Sequence, residues 1–169
     1  LVLLKNLLRN VVKDPERLEA KTGVPVIATV PRSPLLTRLR KNKKSPNRLL
    51  AHADNDSLSY EAIKSLRTNL MFGMPVVGKV GERAKVILIT GESPGVGKSF
   101  ISANLTEVFS QLDKKVLIID ADMRLGELHR MFDMTPDNGL GDYLAQQGEL
   151  AAAIHPTPID NIDFMPRGQ

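Results

Sequence analysis

The sequence predicts an α/β fold in which a mostly parallel sheet is flanked by helices on both faces, giving three layers. Two apolar runs, residues 86–90 and 116–119, have the length and the branched aliphatic content expected of buried parallel strands. Between them, residues 100–112 carry apolar side chains at helical spacing. A strand, a helix and a second strand in this order form the unit from which parallel sheets are built.

Composition excludes several classes of protein. The 169 residues suffice for one domain with a core, and 42% hydrophobic with 25% charged residues is typical of globular α/β proteins. The chain has no cysteine, which excludes a disulfide framework and a cysteine metal site. No apolar run is long enough to span a bilayer. Because the chain begins at Leu1 and shows no signal peptide, we expect an internal piece of a longer protein.

Residues 1–31 are predicted to form a juxtamembrane segment with a short helix and a strand. Residues 1–13 mix apolar side chains with cations, which fits the cytoplasmic exit of a membrane helix or an ordinary amphipathic helix equally well. Asp14 is expected to cap a short helix that ends at Gly23. The apolar residues 24–30 predict a strand.

Residues 32–56 are predicted to form a basic linker. No acidic residue interrupts its cations before Asp54. No aromatic residue lies among these cations, so the sequence predicts no nucleic-acid partner. Membrane lipid headgroups are an alternative partner, and a solvated loop is equally compatible with the composition. The cations are Arg32, Arg38, Arg40, Lys41, Lys43, Lys44 and Arg48.

From residue 57 onward the pattern is that of a folded domain. Ser57 is expected to cap a helix that runs from Leu58 toward Phe72. Its buried stripe is predicted to consist of Ile63, Leu66 and Leu70. A second, charged stripe is formed by Glu61, Lys64 and Arg67 at intervals of three residues. Such a stripe is either solvated surface or the edge of an assembly.

A glycine-rich turn, Gly-Glu-Ser-Pro-Gly-Val-Gly-Lys-Ser at residues 91–99, joins the first predicted strand to the following helix. Glycines let backbone N–H groups point at one anion, and the helix N-terminus adds its dipole. This turn therefore predicts a P-loop NTPase-like fold, with the lysine on terminal phosphates and the serine on Mg²⁺. The first glycine, Gly91, lies one residue before its usual place, which Glu92 occupies. The predicted nucleotide-binding residues are Ser93, Pro94, Gly95, Val96, Gly97, Lys98, Ser99 and Phe100.

Asp120 and Asp122 directly follow the second predicted strand. The carboxyl ends of neighbouring parallel strands meet at one edge of a sheet, so both carboxylates should lie beside residues 91–99. Alternation along an extended segment should also turn both to one side. There they could hold Mg²⁺ or accept the proton of an attacking hydroxyl. The alternative is an acidic turn that caps the next helix.

Five sequence runs together resemble a known family. GESPGVGKS at 91–99 and VLIIDADMR at 116–124 resemble the Walker A and Walker A′ motifs of the bacterial tyrosine kinases (BY-kinases). Nearly the whole chain is similar to the cytoplasmic kinase domain of the Wzc/Etk type of polysaccharide co-polymerase. The other matching runs are EAIKSLRTNL at 61–70, NGLGDYL at 138–144 and IDFMPRGQ at 162–169.

The resemblance implies a tyrosine autokinase that uses ATP and Mg²⁺ and regulates exopolysaccharide or capsule polymerisation and export. Lys98 and Ser99 would bind phosphate and metal, while Asp120 and Asp122 would share metal binding and activation of the tyrosine hydroxyl. Residues 57–169 would be the N-terminal part of the P-loop kinase domain. The fold is then expected to be truncated before the Walker B strand, which would follow residue 169 together with the tyrosine cluster.

The resemblance also implies partners and a location. It implies a cyclic homo-oligomer at the cytoplasmic face of the bacterial inner membrane, in which subunits phosphorylate the tyrosine cluster of a neighbour. A cognate phosphatase and the polysaccharide export machinery are further implied partners. The family's interface motif, Glu-x-x-Arg-x-x-Arg, reads Glu61, Lys64 and Arg67 here, and lysine lacks arginine's planar fork. Glu127 occupies the position of a regulatory tyrosine, where we expect its permanent charge to keep the site open.

Two other functions remain open at the level of sequence. One is a ParA/MinD-like partition or positioning ATPase, which shares the fold. Such proteins usually carry a lysine five residues before the P-loop lysine, where this chain has Ser93. The other is a non-catalytic nucleotide-binding module that organises a polysaccharide export complex.

Overall fold

The computed structural model describes residues 14–33, 49–74 and 84–169. The predictions for residues 1–13 and for most of the basic linker, residues 34–48, lie outside the described residues. In chain order the elements are α1 (Pro15–Thr22), α2 (Leu50–Ala53), α3 (Leu58–Gly73), α4 (Lys98–Ser110), β1 (Val116–Ile119), a first 3₁₀ helix (Leu128–Met131), α5 (Leu140–Leu144), a second 3₁₀ helix (Leu150–Ala153), β2 (His155–Pro156) and β3 (Ile162–Met165).

Helix α1 begins and ends where the sequence predicts. The Asp14 side chain accepts a hydrogen bond from the Glu16 N–H at 3.0 Å, which satisfies one of the free donors of the first turn. Gly23 ends the helix in the left-handed conformation, with φ of 69°. Both caps follow from local residue types, so the neighbouring sequence is enough to place them.

The strand predicted over residues 24–30 is wrong, because these residues form no regular secondary structure. Their backbone groups bind side chains instead of a neighbouring strand. The Val26 N–H donates to Glu19 Oε1 at 2.6 Å, and Asn69 Nδ2 donates to the Ile27 carbonyl at 2.7 Å. The apolar character of this segment is used in packing, since Ala28 and Val30 contact the core around α3.

The end of the predicted basic linker is part of the core. Leu49 and Leu50 are buried, and residues 50–53 form the short helix α2. The Leu50 N–H donates to Asn104 Oδ1 of α4 at 2.7 Å. The prediction of a linker up to residue 56 is therefore wrong for residues 49–53, because apolar contact with α4 and α3 orders them.

Helices α3 and α4 pack together as the predicted pattern requires. Ser57 accepts a hydrogen bond from the Tyr60 N–H at 3.2 Å and starts α3 as a cap. Ile63 and Leu66 of α3 are buried against Leu105 and Val108 of α4. The period of the apolar residues thus identified the buried face of α3 correctly.

The described sheet has three strands in the order β1–β3–β2. β1 runs parallel to β3, with Val116 opposite Ile162 and Ile119 opposite Met165. β2 pairs antiparallel with β3. Helix α4 packs on this sheet, and the core beneath it includes Phe164, whose ring centroid lies 5.7 Å from that of Phe132. The predicted α/β class is confirmed.

Two predictions about strands are wrong. Residues 86–90 form no strand, and Val86 and Leu88 are 89% and 83% exposed. In β1, Ile118 is buried but Leu117 and Ile119 are 44% and 45% exposed, so only one face of the strand is covered. A strand needs a hydrogen-bonding neighbour and a buried strand needs cover on both faces. Within the described residues, no strand pairs with residues 86–90, and no element covers the outer face of β1.

None of the helices in the described ranges is both long enough and apolar enough to cross a membrane.

Candidate nucleotide site

The glycine-rich loop leads directly into α4. Gly97 precedes the helix with φ of 110°, and Gly95 has φ of 78°, so both adopt the left-handed region that favours glycine. No side chain caps the N-terminus of α4. The sequence predicted this helix start correctly, and the two glycines explain why the loop needs their residue type.

The first glycine of the loop, Gly91, is needed because the side chains of Val96 and Lys98 pack closely against it. A Cβ added at Gly91 would lie 2.7 Å from Val96 Cγ2 and 3.3 Å from Lys98 Cγ. The loop therefore folds back on Gly91, and a side chain there would force Val96 to move. The glycine that permits this approach lies one residue earlier than in the usual pattern.

Lys98 lies at the mouth of the loop and is half-buried. Its Nζ donates a hydrogen bond to the Ser93 carbonyl oxygen at 3.2 Å. The first helical hydrogen bond joins the Ile101 N–H to the Gly97 carbonyl, and no described residue accepts from the N–H groups of residues 98–100. Free helix N–H groups beside an ammonium group form a site for an anion.

Asp120 is held inside the loop that follows β1. It is only 3% exposed. Its Oδ2 accepts from the Leu128 N–H at 3.1 Å and its Oδ1 from the Asp122 N–H at 3.2 Å. Its own N–H donates to the Met165 carbonyl of β3 at 2.9 Å. These bonds leave the Asp120 carboxylate little freedom to turn.

Burial raises the pKa of the Asp120 carboxyl, and the nearby charge of Asp122 acts in the same direction. The hydrogen bonds from Leu128 and Asp122 oppose this by stabilising the carboxylate. Burial lowers the pKa of the neighbouring His129, and Arg130 adds to that effect. The loop thus contains two groups whose ionised forms are disfavoured by burial.

Asp122 has a different environment from Asp120, because its side chain is exposed. Its Oδ1 accepts from the Leu125 N–H at 2.9 Å and from the Arg124 N–H at 3.3 Å, which closes the turn after β1. The acidic-turn alternative therefore describes part of what both aspartates do. Within the part of the chain that is described, no ion pair joins Lys98 to either aspartate.

The oxygen donors of Ser99, Asp120 and Asp122 suit Mg²⁺. Within the described ranges no three His, Cys, Asp or Glu side chains gather into a metal cluster. Mg²⁺ commonly needs only one or two carboxylates when nucleotide phosphates and water complete its shell. These donor types therefore fit a nucleotide-bound Mg²⁺ rather than a cage made by the protein alone.

The charged stripe of α3 is divided between the surface and the interior. Lys64 forms an ion pair with Glu61, and its Nζ lies 4.9 Å from the centroid of the Tyr60 ring. Arg67 instead turns toward α4, where its Nη1 donates to the Val108 carbonyl at 2.7 Å. Only Glu61 and Lys64 thus present charge outward in this arrangement.

Glu127 is exposed and forms an ion pair with Arg130, with 2.6 Å between Oε1 and Nη1. The two residues are one turn apart around the first 3₁₀ helix. The Glu127 carboxylate therefore belongs to the same segment after β1 as Asp120, and its charge is paired within that segment.

Sequence reasoning missed the residues that shape this loop. A Cβ added at Gly126 would lie 2.6 Å from Asp120 Oδ2, so the loop closes on the carboxylate only because residue 126 is glycine. It also missed the contact of Asp120 with Met165, which comes from the distant strand β3. Gly126, two residues beyond the Walker A′-like run at 116–124, was the available signal.

Comparisons with known proteins agree with this geometry. The family model described as the CobQ/CobB/MinD/ParA nucleotide binding domain matches residues 87–154. The chain is 39% identical to the tyrosine-protein kinase Ptk of Acinetobacter johnsonii, over 100% of this chain and 23% of that protein. It is 39% identical to the tyrosine-protein kinase Wzc of Salmonella typhimurium, over 99% of this chain and 24% of that protein.

A solved structure, the kinase domain of the Escherichia coli tyrosine kinase ETK, matches with a TM-score of 0.80 and 36% identity, over 94% of this chain and 60% of that one. Over nearly its whole length the chain is therefore similar to bacterial tyrosine kinases of the Wzc, Etk and Ptk type. The predicted family resemblance is thereby confirmed. The chain spans about a quarter of the length of the curated BY-kinase relatives it matches.

Proposed function

We propose that the chain is the N-terminal part of the kinase domain of a protein-tyrosine autokinase that uses ATP and regulates exopolysaccharide or capsule polymerisation and export. The observation that carries this proposal is the loop before α4, where Gly95 and Gly97 leave free N–H groups beside the Lys98 ammonium. The similarity to tyrosine-protein kinases supports a tyrosine hydroxyl as the group that accepts the phosphate.

The loop is proposed to bind the phosphates of ATP through the backbone of residues 93–100. Lys98 would exchange the Ser93 carbonyl for a phosphate oxygen, since an ionised acceptor makes the stronger hydrogen bond. The Ser99 hydroxyl would hold Mg²⁺ together with the aspartates. When bound, Mg²⁺ neutralises charge on the phosphates during phosphoryl transfer.

Asp120 and Asp122 are proposed to share metal binding and activation of the tyrosine hydroxyl. Asp120 has a fixed orientation because both of its oxygens accept backbone N–H groups. Asp122 is exposed and keeps an oxygen outside the turn, so an incoming tyrosine can reach it. This difference favours Asp122 as the proton acceptor and Asp120 as the anchored ligand.

The proposed assembly is a cyclic homo-oligomer at the cytoplasmic face of the inner membrane. Its subunits would phosphorylate a neighbour's tyrosine cluster, and a cognate phosphatase and the polysaccharide export machinery would act on the same protein. The exposed pair Glu61 and Lys64 is the proposed interface charge, whereas Arg67 would support it from within the subunit. Lipid headgroups are proposed to meet the basic residues of the segment before residue 49.

Glu127 is proposed to substitute for a regulatory phosphotyrosine. Its pairing with Arg130 supports this, because a permanent carboxylate already satisfies a cation that a phosphate would otherwise attract. A carboxylate carries one charge and fewer acceptor oxygens than a phosphate, so its effect should be weaker.

The experiment that tests the proposal is phosphotyrosine detection after ATP and Mg²⁺ are added to the full-length protein. Lys98→Met should lower the signal by at least about 100-fold, because the ammonium group stabilises charge that develops on the phosphates. Lys114→Met is the matched control, since this exposed lysine lies beyond the far end of α4. A wild-type protein without phosphotyrosine, or a fully active Lys98→Met variant, would contradict the proposal.

A second candidate is a ParA/MinD-like ATPase, which the nucleotide binding family match favours. That protein would release inorganic phosphate from ATP without producing phosphotyrosine. A third, a non-catalytic assembly module, would sustain polysaccharide export when Lys98→Met has removed phosphotyrosine. Measuring phosphate release, phosphotyrosine and export on the same two variants separates the three functions.

A further inference from the structure

Two segments that are distant in sequence interlock just beyond β3. We call them the clasp, which consists of residues 136–142 and residues 166–169. Three backbone hydrogen bonds and one side-chain hydrogen bond join them. These are Leu140 N–H to the Pro166 carbonyl at 2.8 Å, Gly141 N–H to the Arg167 carbonyl at 2.8 Å, Gly168 N–H to the Pro136 carbonyl at 3.0 Å, and Gln169 Nε2 to Asp137 Oδ1 at 2.8 Å.

Glycines allow the two halves of the clasp to approach this closely. A Cβ added at Gly139 would lie 2.0 Å from the Pro166 carbonyl oxygen, which no side chain could tolerate. Gly168 has φ of 82°, and a Cβ there would lie 2.6 Å from Asp142 Oδ2. Both positions therefore need glycine because of contacts between the halves.

Asp142 lies at the centre of the clasp. Its Oδ2 accepts a hydrogen bond from the Gly139 N–H at 2.8 Å, which holds the turn before α5. The same oxygen lies against Gly168 of the other half, 2.6 Å from the place that a Cβ would take. Asp142 thus contacts Gly139 in its own half of the clasp and Gly168 in the other half.

The clasp is connected to the loop that contains both candidate aspartates. The carbonyl of Met165, the residue before Pro166, accepts the Asp120 N–H at 2.9 Å. On the other side, Met123 Cε would lie 3.3 Å from a Cβ at Gly141, so the Met123 side chain rests on the clasp. Met123 is the neighbour of Asp122, which means that the clasp touches the loop beside each aspartate.

We infer that Asp142 is a positioning residue for phosphoryl transfer, because its bond to the Gly139 N–H holds the turn whose next two N–H groups bind the Pro166 and Arg167 carbonyls. Through this turn it would fix the backbone beside Asp120 and Met123. This inference rests on the proposed kinase function. Asp142 acts through these segments and not on the nucleotide itself. The P-loop at residues 91–99 makes no hydrogen bond to the clasp in the described ranges.

The test compares Asp142→Ala and Asp142→Asn with wild type in the full-length protein, with kcat and KM for ATP measured from phosphotyrosine formation. Asp142→Ala should lower kcat by about 10- to 100-fold with KM changed less than about 3-fold, because small displacements of reacting groups cost this much rate. Asp142→Asn keeps one acceptor for the Gly139 N–H and should recover part of the rate. Asp163→Asn, at an exposed carboxylate of β3, is the matched control.

Amide hydrogen exchange gives a readout that does not depend on catalysis. Asp142→Ala should speed exchange at Asp120 and Leu128 while leaving the amides of Leu105 and Val108 in α4 protected as in wild type. Unchanged kcat, an equal change in kcat and KM, or unchanged exchange at Asp120 would overturn the inference. Faster exchange throughout α4 would also overturn it, since that indicates general unfolding. If wild type forms no phosphotyrosine, the proposed kinase function fails. The exchange data then test separately whether Asp142 holds the backbone at Asp120 and Leu128 in place.

Discussion

Glu107 is a buried carboxylate whose removal should stabilise the protein. It lies on α4 and is 2% exposed. Its Oε1 is 2.9 Å from His52 Nε2, but its Oε2 is buried and has no hydrogen-bond partner in the described part of the chain. A buried polar atom without a partner costs about 1–3 kcal/mol, so the side chain is held at an energetic cost.

The perturbation is Glu107→Met, which keeps an unbranched side chain with good helix propensity and removes both oxygens. Losing one partner of a buried ion pair is costly when the other stays buried. The His52 side chain is 46% exposed, so water can solvate it, and the lost pair is worth about 1 kcal/mol or less. We therefore expect Glu107→Met to raise the free energy of unfolding by about 1–2 kcal/mol at neutral pH.

The increase in the free energy of unfolding that we expect for Glu107→Met should depend on pH. Burial raises the pKa of Glu107 above its usual 4.5, although His52 opposes this. Between the unfolded pKa and the raised folded pKa, the folded chain keeps a proton that the unfolded chain has lost. Wild-type stability should therefore fall as pH rises through this window, and the advantage of Glu107→Met should grow above pH 4.5.

The assay is urea unfolding followed by far-ultraviolet circular dichroism at pH 4.5 and pH 7.5, at constant ionic strength. Glu107→Gln, which keeps an oxygen for His52 without the charge, is the matched control and should show the loss of pH dependence. Destabilisation of Glu107→Met by more than about 1 kcal/mol at pH 7.5 would refute the reasoning. An advantage equal at both pH values would refute the role of the charge.

Three further predictions follow from the packing and the loop. Ile63→Ala should lower the free energy of unfolding by about 2–5 kcal/mol, whereas Phe72→Ala, at an 88% exposed residue, should change it by less than about 0.5 kcal/mol in the same urea titration. Arg67→Met should change the free energy of unfolding by less than about 1 kcal/mol in thermal melting, because losing the donor to the Val108 carbonyl is offset by removing the Arg67 Nε, which is buried without a partner among the described residues. Glu127→Tyr in the full-length protein should make kinase activity depend on prior phosphorylation, and unchanged activity and dependence would exclude the proposed role of that charge.

Local residue types predicted the helices well. Asp14 and Ser57 cap the helices that follow them, and the glycine pair at residues 95 and 97 precedes α4, because capping and left-handed turns involve residues close in sequence. The apolar period of α3 identified Ile63 correctly as buried. A few neighbouring residues are therefore enough to predict these caps and this buried face.

Strands were predicted less well: the strand over residues 116–119 is confirmed as β1, but those over residues 24–30 and 86–90 are wrong. Residues 24–30 and 86–90 are apolar and branched like β1, yet only β1 has a partner in β3. A strand forms when a second strand satisfies its backbone groups, and apolar content carries no information about whether that partner is in place. The Asn69 and Glu19 side chains that bind residues 24–30 could not be assigned to this role from their positions in the sequence.

The sequence by itself determined the positions of helices α1, α3 and α4, the helix caps and the chemistry of the loop at residues 91–99, because short-range sterics and capping decide these. Tertiary structure alone decided that Asp120 is buried while Asp122 is exposed, and that Arg67 faces α4. Those outcomes depend on carbonyl and N–H groups brought in by Met165, Leu128 and Val108. Hydrogen bonds between segments far apart in the chain form only when the fold brings the donor and the acceptor within reach.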